Sequence, residues 1–330
     1  MLNFLTHVHT SIPSPTWSYF DLGPLRIHAY ALCILLGIVV ATIWTNRRLV
    51  ARGAENWIVL DVILFAIPIG IVGARIYHVL THPGDYFYAG ADLWRTLYIW
   101  EGGNAIFGSL IGGAIGALIG ARFAGLKFWS FADAVAPGLL VAQALGRVGN
   151  WFNHELFGLP TTLPWGLEIE AGNPAYPIGL PAGTLFHPTF LYEMLWNLLG
   201  VAVIVLLERR LSLRWGKSFG VYLIWYGLGR SLFEAIRLDP SGTFLGVRTN
   251  IWGAWVAILI GILIIVVQSR RHPGEEPSVY LPGRSPEERK ETKALDSKRA
   301  TESQGKDAPV ARKVKSEKSA TSRQKKSSPS

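Results

Sequence analysis

Arg147, Asn150, Asn153, His154 and Glu155 fall within nine residues at the end of one apolar run, and Tyr226, Arg230, Glu234 and Arg237 close another. A charge carried into hydrocarbon costs roughly 2.5–3.5 kcal/mol on insertion scales, so such residues face a partner or a wet cavity. In the second set the spacing is four, four and three, which puts all of the residues on one helix face. A pair between Arg230 and Glu234 would neutralise a helix end, yet it leaves Arg237, Arg147 and Arg75 needing other partners. Guanidinium groups bind phosphate through paired donors, better than lysine does. Several arginines with few carboxylates therefore point to an anionic ligand.

Other chemistry is sparse. The single cysteine, Cys33, lies inside the first apolar run and reads as a small buried hydrophobe. No HExxH sequence or Cys/His cluster indicates a metal site, and no Gly-x-Ser-x-Gly marks a serine nucleophile. His187-Pro188 opens a further run with Tyr192-Glu193 a turn later, where the histidine fits equally a cap or a functional group. Gly108, Gly112, Gly116 and Gly120 recur every four residues, the small-xxx-small pattern of closely packed transmembrane helices.

The elements that position these residues are long and apolar. Half of the 330 residues are hydrophobic, 17% are charged, and 13 are tryptophan, a bias that fits helices in lipid with aromatic belts. Seven runs are expected, near 27–45, 57–80, 103–122, 129–147, 188–207, 218–236 and 250–268. The first 25 residues lack the basic region and cleavage site of a signal peptide. Arg47, Arg48, Arg52, Arg122, Lys127, Arg209, Arg210, Arg214, Lys217, Arg270 and Arg271 follow alternate runs, with Arg95 and Arg248 as exceptions. The positive-inside rule then predicts an all-α integral membrane protein with seven transmembrane helices, its N-terminus outside and its C-terminus cytoplasmic. In that topology His28, Tyr30, Arg75, Tyr77, His78, Arg147, Asn150, Glu155, His187, Tyr192, Glu193, Tyr226, Arg230, Glu234 and Arg237 all lie toward the outer side. Snorkelling alone would populate both ends, so the pattern predicts a site open to the outer leaflet.

Two segments stand apart. The stretch from Gly158 to Phe186, rich in Pro and Gly, exceeds an ordinary connection and predicts a binding loop or cap. Residues 272–330 carry 14 Lys/Arg against 9 Asp/Glu and few apolar groups. They are expected to form a disordered basic cytoplasmic tail beyond a membrane domain of residues 1–271.

With these residues in view, the chain resembles the prolipoprotein diacylglyceryl transferase family over roughly residues 20–270. The most specific block is Gly146 to Gly158, with Arg147, Asn150, Asn153, Glu155 and Gly158 in register. Leu25–Tyr30, Gly73-Ala74-Arg75, Trp100–Gly103, Ser130–Asp133, His187-Pro188-Thr189, Leu191-Tyr192-Glu193 and the Tyr226–Arg237 set support it. The resemblance implies a multi-pass enzyme of the bacterial inner, or cytoplasmic, membrane. It implies transfer of the diacylglyceryl group of phosphatidylglycerol to the lipobox cysteine thiol of preprolipoproteins, with glycerol phosphate released. Membrane lipid and a signal peptide are its implied partners; metal, cofactor and nucleic acid have no part in it.

By position, the resemblance implies that Arg147 and Arg230 hold the phosphate and that Asn150 orients the headgroup or Arg147. Tyr30 and Tyr226 would bond the glycerol or phosphate, Glu155 and Glu234 would position the arginines, and Gly158 would allow a tight backbone turn. Arg75, Arg237 and His187 are expected to line the substrate site. The thiol must lose a proton to attack, so a base is required. Many relatives have a histidine where this chain has Phe107, which leaves His28, Glu155, His154, His187 or substrate phosphate as the acceptor. His154 stands where glycine is often found. The rival readings are an anion transporter and another phospholipid-dependent membrane transferase. The first lacks an internal repeat or a path of polar groups, and the signature block disfavours both.

Overall fold

The structure, a computed structural model, describes residues 11–239 and 241–306. The seven apolar runs form α1 (Ala29–Ala51), α2 (Val59–Thr81), α3 (Ile106–Ala124), α4 (Phe128–Phe152), α5 (Thr189–Leu211), α6 (Lys217–Glu234) and α7 (Thr249–Arg271). Six of them are long and apolar enough to cross a membrane. The other is α6, which carries Lys217, Arg230 and Glu234 in 18 residues. Leu64 on α2 is 69% exposed and Leu259 on α7 is 66% exposed, and many Ile and Leu neighbours are also exposed. Such continuous apolar surface is intolerable in water and is what lipid requires. The α1, α5 and α7 helices run past their apolar stretches into Arg48, Arg209–Arg210 and Arg270–Arg271.

Small residues set the helix spacing. A Cβ on Gly108 would meet the Gly73 carbonyl at 2.2 Å, one on Gly112 the Ile69 carbonyl at 2.4 Å, and one on Gly116 the Phe65 carbonyl at 2.5 Å. The glycine stripe of α3 is thus the seam against α2, with backbones in direct contact. On α5 and α6, Trp196 and Trp225 stack with centroids 4.4 Å apart, and each indole N–H donates to the other's carbonyl. Gly229 and Gly200 make room for these rings, since a Cβ on either would lie 2.3 Å from the facing indole nitrogen.

At the basic end, buried charge is paired. Glu208 Oε1 accepts from Arg48 (2.6 Å), Arg52 (3.2 Å) and Ser218 (2.6 Å). Asp133 accepts the Gly216 and Phe219 amides at 2.8 and 3.0 Å, which satisfies orphan donors at the start of α6.

Part of the segment expected as a tail from 272 is ordered. Residues beyond α7 pack on the basic end: Val279 and Tyr280 are buried, and Lys127 N and Leu281 N bond to Val279 O and Gly125 O. Two buried apolar side chains and a strand-like pairing offset the entropy that composition alone assigned to disorder. The first compact unit accordingly ends at Arg284. The second unit, described by itself, contains α8 (Pro286–Lys306), opened by a capping box in which Ser285 and Glu288 exchange bonds. Residues 307–330 of the expected tail lie outside the described residues.

Among the described residues, three antiparallel ribbons decorate the end opposite the basic one: β1 (Tyr19–Leu22) with β2 (Leu25–His28), β3 (Leu167–Glu168) with β4 (Leu185–Phe186), and β5 (Thr243–Phe244) with β6 (Val247–Arg248). They precede α1, join α4 to α5, and join α6 to α7.

Candidate active site

The last turns of α4 and α6 and the first turn of α5 meet at the ribbon end. A backbone ladder holds them together. Gly158 N donates to His187 O (3.0 Å), His187 N to Leu159 O (3.0 Å), and Leu159 N to Ile236 O (2.8 Å). One short extended segment therefore ties the exit of α4 to the start of α5 and the end of α6. At Gly158 a Cβ would lie 2.8 Å from His187 Cβ and 3.0 Å from Ile236 O. A side chain here would intrude on His187, Ile236 and Thr189, so the close approach of these segments favours glycine.

On this frame sit two linked ion clusters. In the first, Arg147 Nη2 lies 2.7 Å from Glu193 Oε2, and Nη1 donates to Asn150 Oδ1 at 3.2 Å. The Asn150 amide then donates to Glu155 Oε1 at 3.0 Å, and Asn153 donates to the same oxygen at 3.1 Å. Glu193 is therefore the carboxylate that pairs with Arg147, while Glu155 reaches it only through Asn150. In the second cluster Glu234, fully buried, has Arg230 3.0 Å away and Arg237 3.9 Å away at Oε2. Arg237 also bonds Asp239 at 2.6 Å. Burial weakens the Arg237 charge, but the bond and charge of Asp239 outweigh it and hold the group firmly protonated.

The clusters share a field. Arg147 is attracted by Glu193 and repelled by Arg230 and Arg237, with Tyr226 also within reach. Arg237 in turn feels both Glu193 and Glu234. Three guanidinium groups converging in low dielectric repel one another, and an anion between them relieves that strain. Tyr226 stacks on Tyr222. The Tyr30 ring packs on α4 where a Cβ on Gly149 would come 2.7 Å from it, beside Asn150.

Other expected residues are placed elsewhere. Arg75 is 5% exposed and donates to the carbonyls of Thr96 (2.8 Å), Gly102 (2.6 Å), Gly103 (3.2 Å) and Arg95. Its ring neighbour is Tyr86, 5.0 Å below. Its fork donates to carbonyls of the 93–103 loop and staples that loop to α2. His28 is exposed on β2 with its ring against Tyr19. His154 is occupied on both ring nitrogens, by Glu170 at 2.9 Å and by Pro15 O at 2.7 Å. His154 has φ 52 and Leu156 φ 59. Glycine adopts that left-handed backbone freely, whereas a histidine or leucine there is strained. His187 Nδ1 is 3.3 Å from the Tyr192 hydroxyl, which also accepts from Trp165 at 3.0 Å. Phe107 packs on Tyr77 and faces Gly253 of α7.

A separate cavity of about 680 Å³ lies under the N-terminal segment, lined by Ser11, Ser14, His154, Glu168 and Glu170. Its carboxylates make it a poor phosphate site. Arg248, Asn250 and Asp239, in contact with the Glu234 cluster, were not distinguished by sequence reasoning. For Arg248 the signal was its standing as an exception to the loop-charge pattern.

Fold and site together define a polytopic membrane protein with a cluster of paired arginines and carboxylates at one end of its helices. The chain belongs to the prolipoprotein diacylglyceryl transferase family, whose model matches residues 18–267. It is 60% identical over 281 residues to a phosphatidylglycerol–prolipoprotein diacylglyceryl transferase of Leifsonia xyli subsp. xyli, covering 82% of this chain and 84% of that one. A Streptomyces coelicolor relative described as transferase 2 is 47% identical over 276 residues, covering 82% and 85%. One from Bifidobacterium longum is 47% identical over 270 residues, covering 78% and 85%. This chain is a membrane transferase.

Proposed function

We propose that the chain transfers the diacylglyceryl group of phosphatidylglycerol to the lipobox cysteine thiol of preprolipoproteins. The thiolate sulfur displaces the phosphate oxygen from the glycerol carbon, so a C–S bond forms, a C–O bond breaks and glycerol phosphate leaves. The observation that carries this reading is the convergence of Arg147, Arg230 and Arg237 at one end of the helices, each tethered to a carboxylate. A phosphodiester headgroup is an anion that the remaining guanidinium donors of this cluster can take. As the leaving phosphate gains charge, the same arginines stabilise it where stabilisation lowers the barrier most. The site end faces the outer leaflet of the bacterial cytoplasmic membrane, with seven spans, the N-terminus outside and the C-terminus cytoplasmic. The uneven placement of loop arginines and lysines supports that orientation.

For the thiol proton, Glu155 is poorly placed, since its Oε1 already accepts from the Asn150 and Asn153 amides. His187 is better placed: its backbone belongs to the ladder at Gly158, and Tyr192 orients its Nδ1, leaving Nε2 for the thiol. Purified protein with phosphatidylglycerol and a lipobox peptide should yield a thioether-linked lipopeptide and equimolar glycerol phosphate without metal or nucleotide. A Cys→Ser peptide should be inert. Absence of product where a related enzyme works would overturn the assignment.

A further inference from the structure

Glu234 is shared unequally between its two oxygens. Oε1 receives Arg248 Nε at 3.1 Å and the Asn250 amide at 2.9 Å. Arg248 is anchored in turn: Nη1 donates to the carbonyls of Glu234 (3.0 Å) and Arg237 (2.9 Å), and Nη2 to that of Asp239. Oε2 is buried and receives no aligned hydrogen bond, although Arg230 and Arg237 stand at 3.0 and 3.9 Å. The carboxylate is therefore saturated on the side away from the arginines of the site and merely attractive on the side facing them.

A buried carboxylate left to Arg230 and Arg237 alone would draw both into paired hydrogen bonds, and donors spent there are lost to a phosphate. We propose that Arg248 and Asn250 are positioning residues of the transferase site. By occupying Oε1 they fix and neutralise Glu234, so that Oε2 holds Arg230 and Arg237 in place while their donors stay available to the lipid headgroup. This role rests on the phosphate reading of the arginine cluster.

The test compares wild type with R248Q, R248K, N250A, E234Q and R248Q/E234Q, as full-length protein in phosphatidylglycerol-containing proteoliposomes with a lipobox peptide. R248Q should raise KM for phosphatidylglycerol by about tenfold, a shift typical of groups within one ion network, while KM for the peptide holds. R248K, which keeps the charge, should recover most of that loss, and N250A should shift KM in the same direction by less. The double variant should be no worse than E234Q alone, because the uncompensated carboxylate is gone. Losses that multiply in the double variant, or an unchanged lipid KM in N250A, would show Arg248 to be only a loop anchor. N250A leaves the backbone anchors intact and so decides the matter even if R248Q fails to fold. Transfer by wild type with independent losses overturns the role of Arg248 alone. No transfer by wild type overturns the phosphate reading and this role with it.

Discussion

Arg147, on α4, and Glu193, on α5, meet at 2.7 Å with the carboxylate side chain 8% exposed and the guanidinium 20% exposed. The pair keeps a cation in a low-dielectric site, and the other terminal nitrogen donates to Asn150, which fixes the direction of the fork. Breaking a buried pair by removing one partner costs roughly 3–5 kcal/mol, reduced here by the partial exposure of Arg147. Arg147→Ala should therefore lower kcat by about 10²–10³ or more, the scale of losing a group that stabilises developing charge. Glu193→Gln should retain some turnover but melt earlier. A near-normal rate in Arg147→Ala would remove this residue from the reaction.

Adjacent glycines on α3 should behave oppositely. A Cβ on Gly112 would sit 2.4 Å from a backbone carbonyl, whereas at Gly113 the nearest atom is 4.0 Å away. Gly112→Ala should destabilise the protein by about 1–3 kcal/mol through overpacking of the α2–α3 seam. Gly113→Ala should be neutral or slightly stabilising. Thermal unfolding of both in detergent checks the pair, and equal shifts would contradict the seam.

His154→Gly should leave catalysis intact. Removing the imidazole deletes bonds to Glu170 and Pro15 but relieves a left-handed residue. Such strain is worth about 1–3 kcal/mol, so the net change should be small. A large fall in kcat with normal folding would restore this histidine as a candidate base.

Acid should loosen the N-terminal segment from the cap. Burial raises the Glu170 pKa, but the hydrogen bond and charge of His154 outweigh it, so the carboxyl sits below its ordinary 4.5. A depressed folded value means that this contribution is present above the ordinary value and fades as pH falls through the folded one. The side chain is 55% exposed, so the effect should be modest. Hydrogen exchange of the amide of Ile12, which bonds Gly166 O, should quicken over that window. Glu170→Gln should flatten the dependence.

Arg75→Gln should release the 93–103 loop, exposing it to proteolysis, while KM for phosphatidylglycerol stays within a few-fold. A selective rise in that KM would place Arg75 against the lipid after all.

Much of this was legible in the chain. Long apolar runs must be helices in lipid, because only intrahelical bonds satisfy the backbone there; the runs became α1–α7, six of them long and apolar enough to cross a membrane. The spacing of Arg230, Glu234 and Arg237 put them on one face, and helical geometry carried that into contact. The glycine stripe likewise announced its seam. Less visible was the order near Val279 and Tyr280, where two apolar side chains in a charged stretch matter only once a docking groove exists.

Residue types and helical periodicity determined by themselves that arginines would gather at one end of the helices. Their partners were decided by tertiary structure. Arg147 could take Glu155, eight residues on, or Glu193, far along the chain, and only the approach of α5 to α4 selects Glu193. Arg75 has the same composition and depth as its neighbours, yet the loop folding over it consumes its donors. Arg248 looked like a stray loop charge until the β5–β6 ribbon turned it onto Glu234. Local sequence governs short-range hydrogen bonding and periodicity, whereas pairing between distant charges depends on which helices pack together.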